Sequence, residues 1–349
     1  MAYGKTKVDN SAYIKLKKDL SEDSLGSLYI FRGEEVYLRD FYLGQMKKKL
    51  LPPGMEDFNL HTLEGKSFDL KILQEMVDCL PMMGSRTMVI VTDYDIYKGD
   101  RDGMAALLGD LPDYVCLVFV YDLIEYKSDA KTKIASMLKG KNCVVDFARQ
   151  EQGDLSDWVR RRFRAMDKDI AGEDAKYLIF LCGDLMNGLI SEIGKIGSYA
   201  KDHRVTRADI DAVATPQLDA VVFQMTDAIS AGDYDKAASV LGDLLHMQEP
   251  PIKIFYSLGK QLRGLYAARL ALDAHKNSGT VMEICGLKSS WQADRLLQSA
   301  RRFSLAECRR AVVRCGQADL AMKSGGGDPA DLLVGVLLDL AGGREHAQN

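Results

Sequence analysis

The chain reads as an α/β domain built on a mostly parallel sheet, followed by an all-α half, and three observations predict this. Short runs rich in Val, Ile, Leu and aromatics alternate with helix-period segments as far as about residue 148. Beyond "DFARQEQGD" the strand-like runs stop and amphipathic helices take over. An apolar share of 47% and a charged share of 28% are those of a globular protein, and 349 residues suffice for two or three domains.

The strand candidates come in order as "GSLYIFRG", "EDFNLHTLEG", "RTMVIVTDYD", "YVCLVFVYD" and "NCVVDF", strand-like by their β-branched and aromatic content and by the turn residues that flank them. Between the first two lies the helical segment "EEVYLRDFYLGQMKKKLL". Before the third lies "SFDLKILQEMVDCL", whose Phe68, Leu70, Ile72, Leu73, Met76, Val77 and Leu80 share roughly one side. Strands of this kind separated by helices form a doubly wound parallel sheet covered on both faces. In the second half, "LSDWVRRRFRAMDKDI" offers Asp154 or Ser156 as an N-cap, and "AGEDAKYLIFLCGDLMNGLISEIGKIGSYA" places Tyr177, Phe180, Leu181, Leu185, Leu189 and Ile193 at helical spacing. "VTRADIDAVA" predicts a capped short helix, and the turn "SAGD" and the breaker "QEPP" split the segment after Gln217 into three helices. The expected organisation is a loose arm at 1–24, the α/β domain at 25–149, a small helical domain at 150–215 and a larger helical domain at 216–343.

The longest apolar runs, "YVCLVFVY" and "LLVGVLL", fall far short of the ~20 residues of a membrane span. The basic N-terminal stretch has no apolar core of the signal-peptide kind, so the expected location is the cytoplasm. Seven cysteines without a C-x-x-C pair read as reduced, buried small hydrophobes. A net charge of −4 hides an asymmetry: residues 252–323 carry 13 Lys/Arg against 5 Asp/Glu. Such an excess suits an acidic partner, either nucleic acid or an acidic protein face.

The search for chemistry yields mainly exclusions. A nucleotide-binding α/β domain carries a glycine-rich loop between its first strand and helix. Here that junction reads "YIFRGEEVYLRD", with Gly33 followed by Glu34 and Glu35, two carboxylates that would repel a triphosphate. Asp93 and Asp95 at a strand end lack the lysine and the Ser/Thr ligand of a magnesium–nucleotide site and read as solvated. His61, His203, His246, His275 and His346 show no metal or catalytic spacing, and no nucleophile signature is found. No catalysis and no cofactor are expected.

One stretch stands out, "CLPMMGSRTMVIV", where Met82 and Met83 sit side by side at a Pro- and Gly-punctuated turn. For an arbitrary methionine pair, burial in its own fold is the simpler reading, because Met is a common core filler. A proline before the pair and a glycine after it would instead present two unbranched, polarizable side chains at a tip.

The order of features resembles the delta subunit of the bacterial DNA polymerase III clamp loader. The stretches that carry the resemblance are "LYIFRGEEVYLRD", "PPGMEDFNLHTLEG", "LPMMGSRTMVIVTD", "ISAGDYDKAASVLGDLLHMQEPPIKI", "ARRFSLAE" and "LAMKSGGGDP", in the family's order. The resemblance implies an AAA+-like core without a working nucleotide site, a small helical lid and a helical collar. It implies binding and opening of the sliding clamp during DNA replication, with no ATP hydrolysis by this chain. The partners it implies are the clamp, the delta prime and gamma/tau subunits in a hetero-pentamer, and primer-template DNA. The family's hydrophobic wedge maps onto Met82 and Met83, with Leu80 and Pro81 leading in, as Met-Met where Leu-Phe is expected. The basic half offers Arg295, Arg301, Arg302, Arg309 and Arg310 either to phosphates or to neighbouring collar subunits, the second being the favoured use, and "RRRFR" at 160–164 reads as a solvated helix face. Two other classes remain open: a nucleotide-binding AAA+ ATPase with an atypical phosphate loop, which ATP titration would reveal, and a helical adaptor, against which the α/β half argues.

Overall fold

The computed structural model describes residues 10–287 and 290–345, so His346 lies outside the described residues. The chain divides into two compact units, residues 1–150 with 185–187, and residues 151–184 with 188–349.

The first unit opens with helix α1 (Ser11–Glu22), followed by strand β1 (Leu28–Arg32), α2 (Val36–Leu50), the single turn α3 (Glu56–Asn59) and β2 (Leu60–Glu64). Then come α4 (Leu70–Asp78), β3 (Thr87–Thr92), α5 (Arg101–Gly109), β4 (Val115–Val120), α6 (Lys133–Lys141) and β5 (Val144–Asp146). All five predicted strands form, and they pair in parallel in the order β2-β3-β4-β1-β5. Both sheet faces are covered, which is why β3 and β4 are continuous apolar runs and not alternating ones. One face packs Ile30, Val89, Val91, Leu117 and Phe119 against Leu73 and Val77 of α4. The other packs Tyr29, Phe31, Met88 and Val118 against Met46 and Leu50 of α2.

Two expectations are corrected here. Of the stretch expected to be a loose arm, residues 11–22 are helical, and Ala12 and Leu16 are buried with Phe31 and Phe147 in the second core. Its apolar stripe is narrow and lies among Lys15, Lys17 and Lys18, so composition alone reads as solvated. The predicted apolar side of α4 is also narrower than expected, because Leu73 and Val77 are buried while Ile72 and Leu80 are exposed.

The second unit contains α7 (Gln152–Arg164), β6 (Asp169–Ile170), α8 (Gly172–Cys182), α9 (Met186–Tyr199, its first two residues belonging to the first unit), β7 (Arg204–Val205) and α10 (Arg207–Val213). Helix α7 starts earlier than predicted, with Glu151 at the N-cap, and Ser156 is buried inside it. The two-residue strands β6 and β7 pair in parallel, a feature too short to leave a hydrophobic pattern. The predicted cap of α10 is a full capping box between Thr206 and Asp209. Helices α11 (Leu218–Ala231), α12 (Tyr234–His246), α13 (Pro251–Asp273), α14 (Ser278–Cys285), α15 (Ser290–Ala300), α16 (Leu305–Lys323) and α17 (Pro329–Glu345) follow. The breaks fall at "SAGD" and "QEPP" as predicted. Helix α13, 23 residues long, is the axis against which α11, α14, α15, α16 and α17 pack. Among the described residues no single helix is long and apolar enough to cross a membrane.

Helices α11 and α13 are tied by Asp219, which accepts from Ser257 Oγ at 2.7 Å and from Lys260 Nζ at 2.8 Å. Burial raises the Asp219 pKa, but the bonds from Lys260 and Ser257 outweigh it and hold the carboxyl below the ordinary carboxylate value. A carboxyl lowered by folding stabilises the fold above its unfolded pKa, and that contribution fades as pH falls through the folded value. Asp219→Asn should therefore melt below wild type at pH 7, with the gap narrowing as acid protonates the folded carboxyl, as followed by circular dichroism. A gap constant with pH would mean that the charge is not what ties the helices.

Buried thiols behave as the cysteine reading expects at Cys116, Cys143 and Cys182, where burial pushes the pKa up to about 12, 11 and 12. Two cysteines depart from that reading: Cys285 is half-buried, and Cys79 is exposed at the end of α4 beside the methionine tip.

Candidate functional site: a methionine tip at the amino end of the sheet

In a parallel sheet, loops that precede strands gather at one end and loops that follow strands gather at the other. The methionine stretch precedes β3 and so stands at the amino end. The junction where a phosphate loop would lie follows β1, at the carboxyl end.

At the carboxyl end the chain fills its own site. Gly33 has φ +116°, and a Cβ there would stand 2.4 Å from the Phe147 carbonyl oxygen. The Glu35 amide donates to that same oxygen at 2.8 Å, and the Glu35 side chain, 1% exposed, accepts from the Met186 amide at 3.3 Å. Glu35 is the N-cap residue of α2, so a buried carboxylate belongs to the helix end where the dipole would otherwise favour a nucleotide phosphate. Glu34 pairs with Arg149 at 2.6 Å. Asp93, expected to be solvated, is a structural acceptor: its Oδ1 takes the amides of Asp122 and Leu123 at 2.8 Å and of Ile124 at 3.3 Å. Asp122 in turn pairs at 2.7 Å with Arg39, which is 5% exposed. Asp95 accepts from the Tyr97 amide in a local turn. Among the described residues no group of three or more His, Cys, Asp or Glu side chains is placed to hold a metal ion.

At the amino end, helix α4 stops at Cys79 and the next four residues form the tip. Leu80 is 69% exposed, Met82 53% and Met83 81%, with Pro81 half-buried between them. Burial of the pair in its own fold, the simpler sequence reading, is therefore not what occurs. The tip is exposed but braced. Met82 donates its amide to Asn59 Oδ1 at 2.7 Å and accepts at its carbonyl from Asn59 Nδ2 at 2.8 Å. Met83 sits at φ +52°, a left-handed conformation that few non-glycine residues adopt. Gly84 lies so close to Pro52 that a Cβ would stand 2.8 Å from its Cγ. Below them, the Arg86 guanidinium donates to the carbonyls of Leu25 at 2.5 Å and of Gly26 and Val115 at 3.0 Å, fastening the base of the tip to the starts of β1 and β4. Sequence reasoning located the methionines and missed Asn59, whose partner lies 23 residues away.

The basic residues of the second unit divide. Arg295 is engaged within its own unit, bonded to Asp227 at 2.5 Å and lying 5.8 Å from the Trp291 ring centroid. Ser299 bonds the other oxygen of Asp227. Arg301 and Arg302, in the turn before α16, and Arg309 and Arg310, in its first half, are exposed. Of the "RRRFR" run, Phe163 is fully buried, Arg160 and Arg164 face Asp157 and Asp169 at 3.8 and 3.9 Å, and Arg162 lies over Trp158.

Together, the five-stranded parallel sheet and the helices that follow it define an α/β domain continued by an all-α half. Two sequence families match, "DNA polymerase III, delta subunit" over residues 29–148 and "DNA polymerase III delta subunit, C-terminal domain" over residues 219–340. The DNA polymerase III subunit delta of Bacillus subtilis is 23% identical over 332 residues, covering 93% of this chain and 95% of that protein. A probable DNA polymerase III subunit delta of Aquifex aeolicus is 21% identical over 276 residues, 76% of this chain and 77% of that one. Among solved structures, the Bacillus subtilis DNA clamp loader delta protein superposes with a TM-score of 0.55 at 20% identity, covering 94% of this chain and 99% of that one. The chain belongs to the family of delta subunits of the DNA polymerase III clamp loader, and so to a complex with other clamp-loader subunits.

Proposed function

We propose that this chain binds the sliding clamp through Leu80, Pro81, Met82 and Met83 and opens it for loading onto primed DNA, without hydrolysing nucleotide itself. The observation that carries the reading is the braced exposure of two adjacent methionines at a tip, an arrangement suited to entering an apolar pocket on a partner. Opening then follows from differential affinity. A ring bistable at one interface shifts toward its open form when the wedge binds that form more tightly, and the shift can be no larger than the affinity difference. ATP acts on neighbouring gamma/tau subunits, which with delta prime complete a pentamer in the cytoplasm. The exposed arginines of the second unit, Arg301, Arg302, Arg309 and Arg310, pack against acidic collar neighbours, with primer-template DNA as the alternative contact.

The test is binding of the purified chain to the immobilised clamp of its own organism, with and without ATP. Binding should be tight and unchanged by ATP, and direct titration with a fluorescent nucleotide should show no micromolar affinity, because Glu34 and Glu35 hold the phosphate position. A well-folded chain that fails to bind the clamp would overturn the reading, and micromolar ATP affinity would favour the ATPase alternative.

A further inference from the structure

We infer that Asn59 is the positioning residue of the methionine wedge, a role that rests on the wedge reading above. Asn59 closes the turn α3, is fully buried, and meets Met82 through both ends of its amide. A primary carboxamide accepts from a backbone amide at its oxygen and donates to the carbonyl of the same residue at its nitrogen, and the two Met82 partners fix which end of Asn59 is which. The effect is that of one rung of a strand ladder placed on an exposed loop. Met82 cannot turn without breaking both bonds, and Met83 follows it into the left-handed conformation at φ +52°. An unbraced loop would leave that conformation, because αL is disfavoured for residues with a Cβ. Gly84 lies against Pro52, in the α2–α3 connection that leads into the turn carrying Asn59.

The consequence is one of population. A partner pocket that accepts only the braced tip binds with an apparent affinity reduced by the fraction of molecules in that conformation. Asn59 touches no partner in this account; it keeps the competent fraction near one and removes the ordering cost from association.

Four proteins make the test: the full chain, Asn59→Ala, Met82→Ala/Met83→Ala, and the triple variant, each titrated against the clamp, with amide hydrogen exchange of the free proteins. Asn59→Ala should weaken binding about tenfold, the loss expected if one molecule in ten keeps the braced tip. It should speed exchange of the Met82 amide at least as much, while the core amides of Ile90 and Val118 keep their protection. In the Met82→Ala/Met83→Ala background, Asn59→Ala should add nothing, because the residue acts through the side chains already removed. Asn59→Leu, near-isosteric, uncharged and unable to make either bond, should behave like Asn59→Ala and serves where the alanine variant loses core protection. Unchanged affinity despite faster Met82 exchange would overturn the inference, as would a loss that persists in the wedge-less background. If Met82→Ala/Met83→Ala itself binds like wild type, the wedge reading fails first and the Asn59 role falls with it.

Discussion

Replacing Met82 and Met83 together by alanine is expected to weaken clamp binding by about a thousandfold, since truncating each of two hot-spot side chains costs about 2 kcal/mol. The melting temperature should stay within about 2 °C of wild type, as substitutions at exposed positions away from caps and ion pairs change stability little. The two results belong together because both side chains stand in solvent, at 53% and 81% exposure, so their removal opens no cavity. The backbone bonds of Met82 to Asn59 do not involve its side chain and survive the change. Surface-immobilised binding beside a thermal melt decides the matter. A large drop in melting temperature with binding intact would mean that the pair serves the fold and that the clamp contact lies elsewhere.

Gly33→Ala should destabilise the first unit by about 3 kcal/mol. Two costs coincide there. The backbone lies at φ +116°, where a Cβ is strained, and that Cβ would stand 2.4 Å from the carbonyl oxygen of Phe147 and 2.6 Å from its carbon. Neither atom can step aside, since Phe147 also bonds Arg32 and Glu35 through its backbone and packs its ring 4.9 Å from that of Phe31. Gly54→Ala separates the two costs. It lies at φ +79° with nothing within 4 Å of its Cβ, so it should lose only about 1 kcal/mol. Urea unfolding of both variants measures the difference, and equal losses would show that the close approach to Phe147 is immaterial.

Where the sequence was legible, the signal was local. Strands β3 and β4 announce themselves because a strand buried on both faces is apolar along most of its length, as "VCLVFV" and "TMVIVT" are, whereas β2, "LHTLE", buries only Leu63 and is signalled by the turn residues that flank it. The helix breaks at "SAGD" and "QEPP" follow from turn residues and prolines whose effect does not depend on distant partners. The methionine tip was legible as a position, because its proline, glycine and apolar pair are neighbours in the chain. What could not be read depends on contacts far apart in sequence. Asn59 is an ordinary polar residue until Met82 arrives 23 positions later. Glu35 reads as a charge that repels phosphate, but nothing before folding says that it is buried with the Met186 amide on its oxygen. Arg295 counts toward a basic face by composition and is spent on Asp227 by geometry. Helix α1 has too few apolar residues to announce its burial, and its docking is decided by Tyr42 and Phe147, which its own stretch does not contain.

The placement of the tip at the amino end of β3, opposite the phosphate-loop junction, has a mechanical meaning. Six residues of β3 span about 20 Å, and the strand is buried on both sides along most of its length. Such a slab does not bend readily, so it works as a lever arm and not as a hinge. On the wedge reading, the clamp is held at the end of the sheet opposite the phosphate-loop junction. The two ends are separated by a stiff slab, so a partner seated on the tip meets a surface whose position is set by the whole sheet and not by the tip alone.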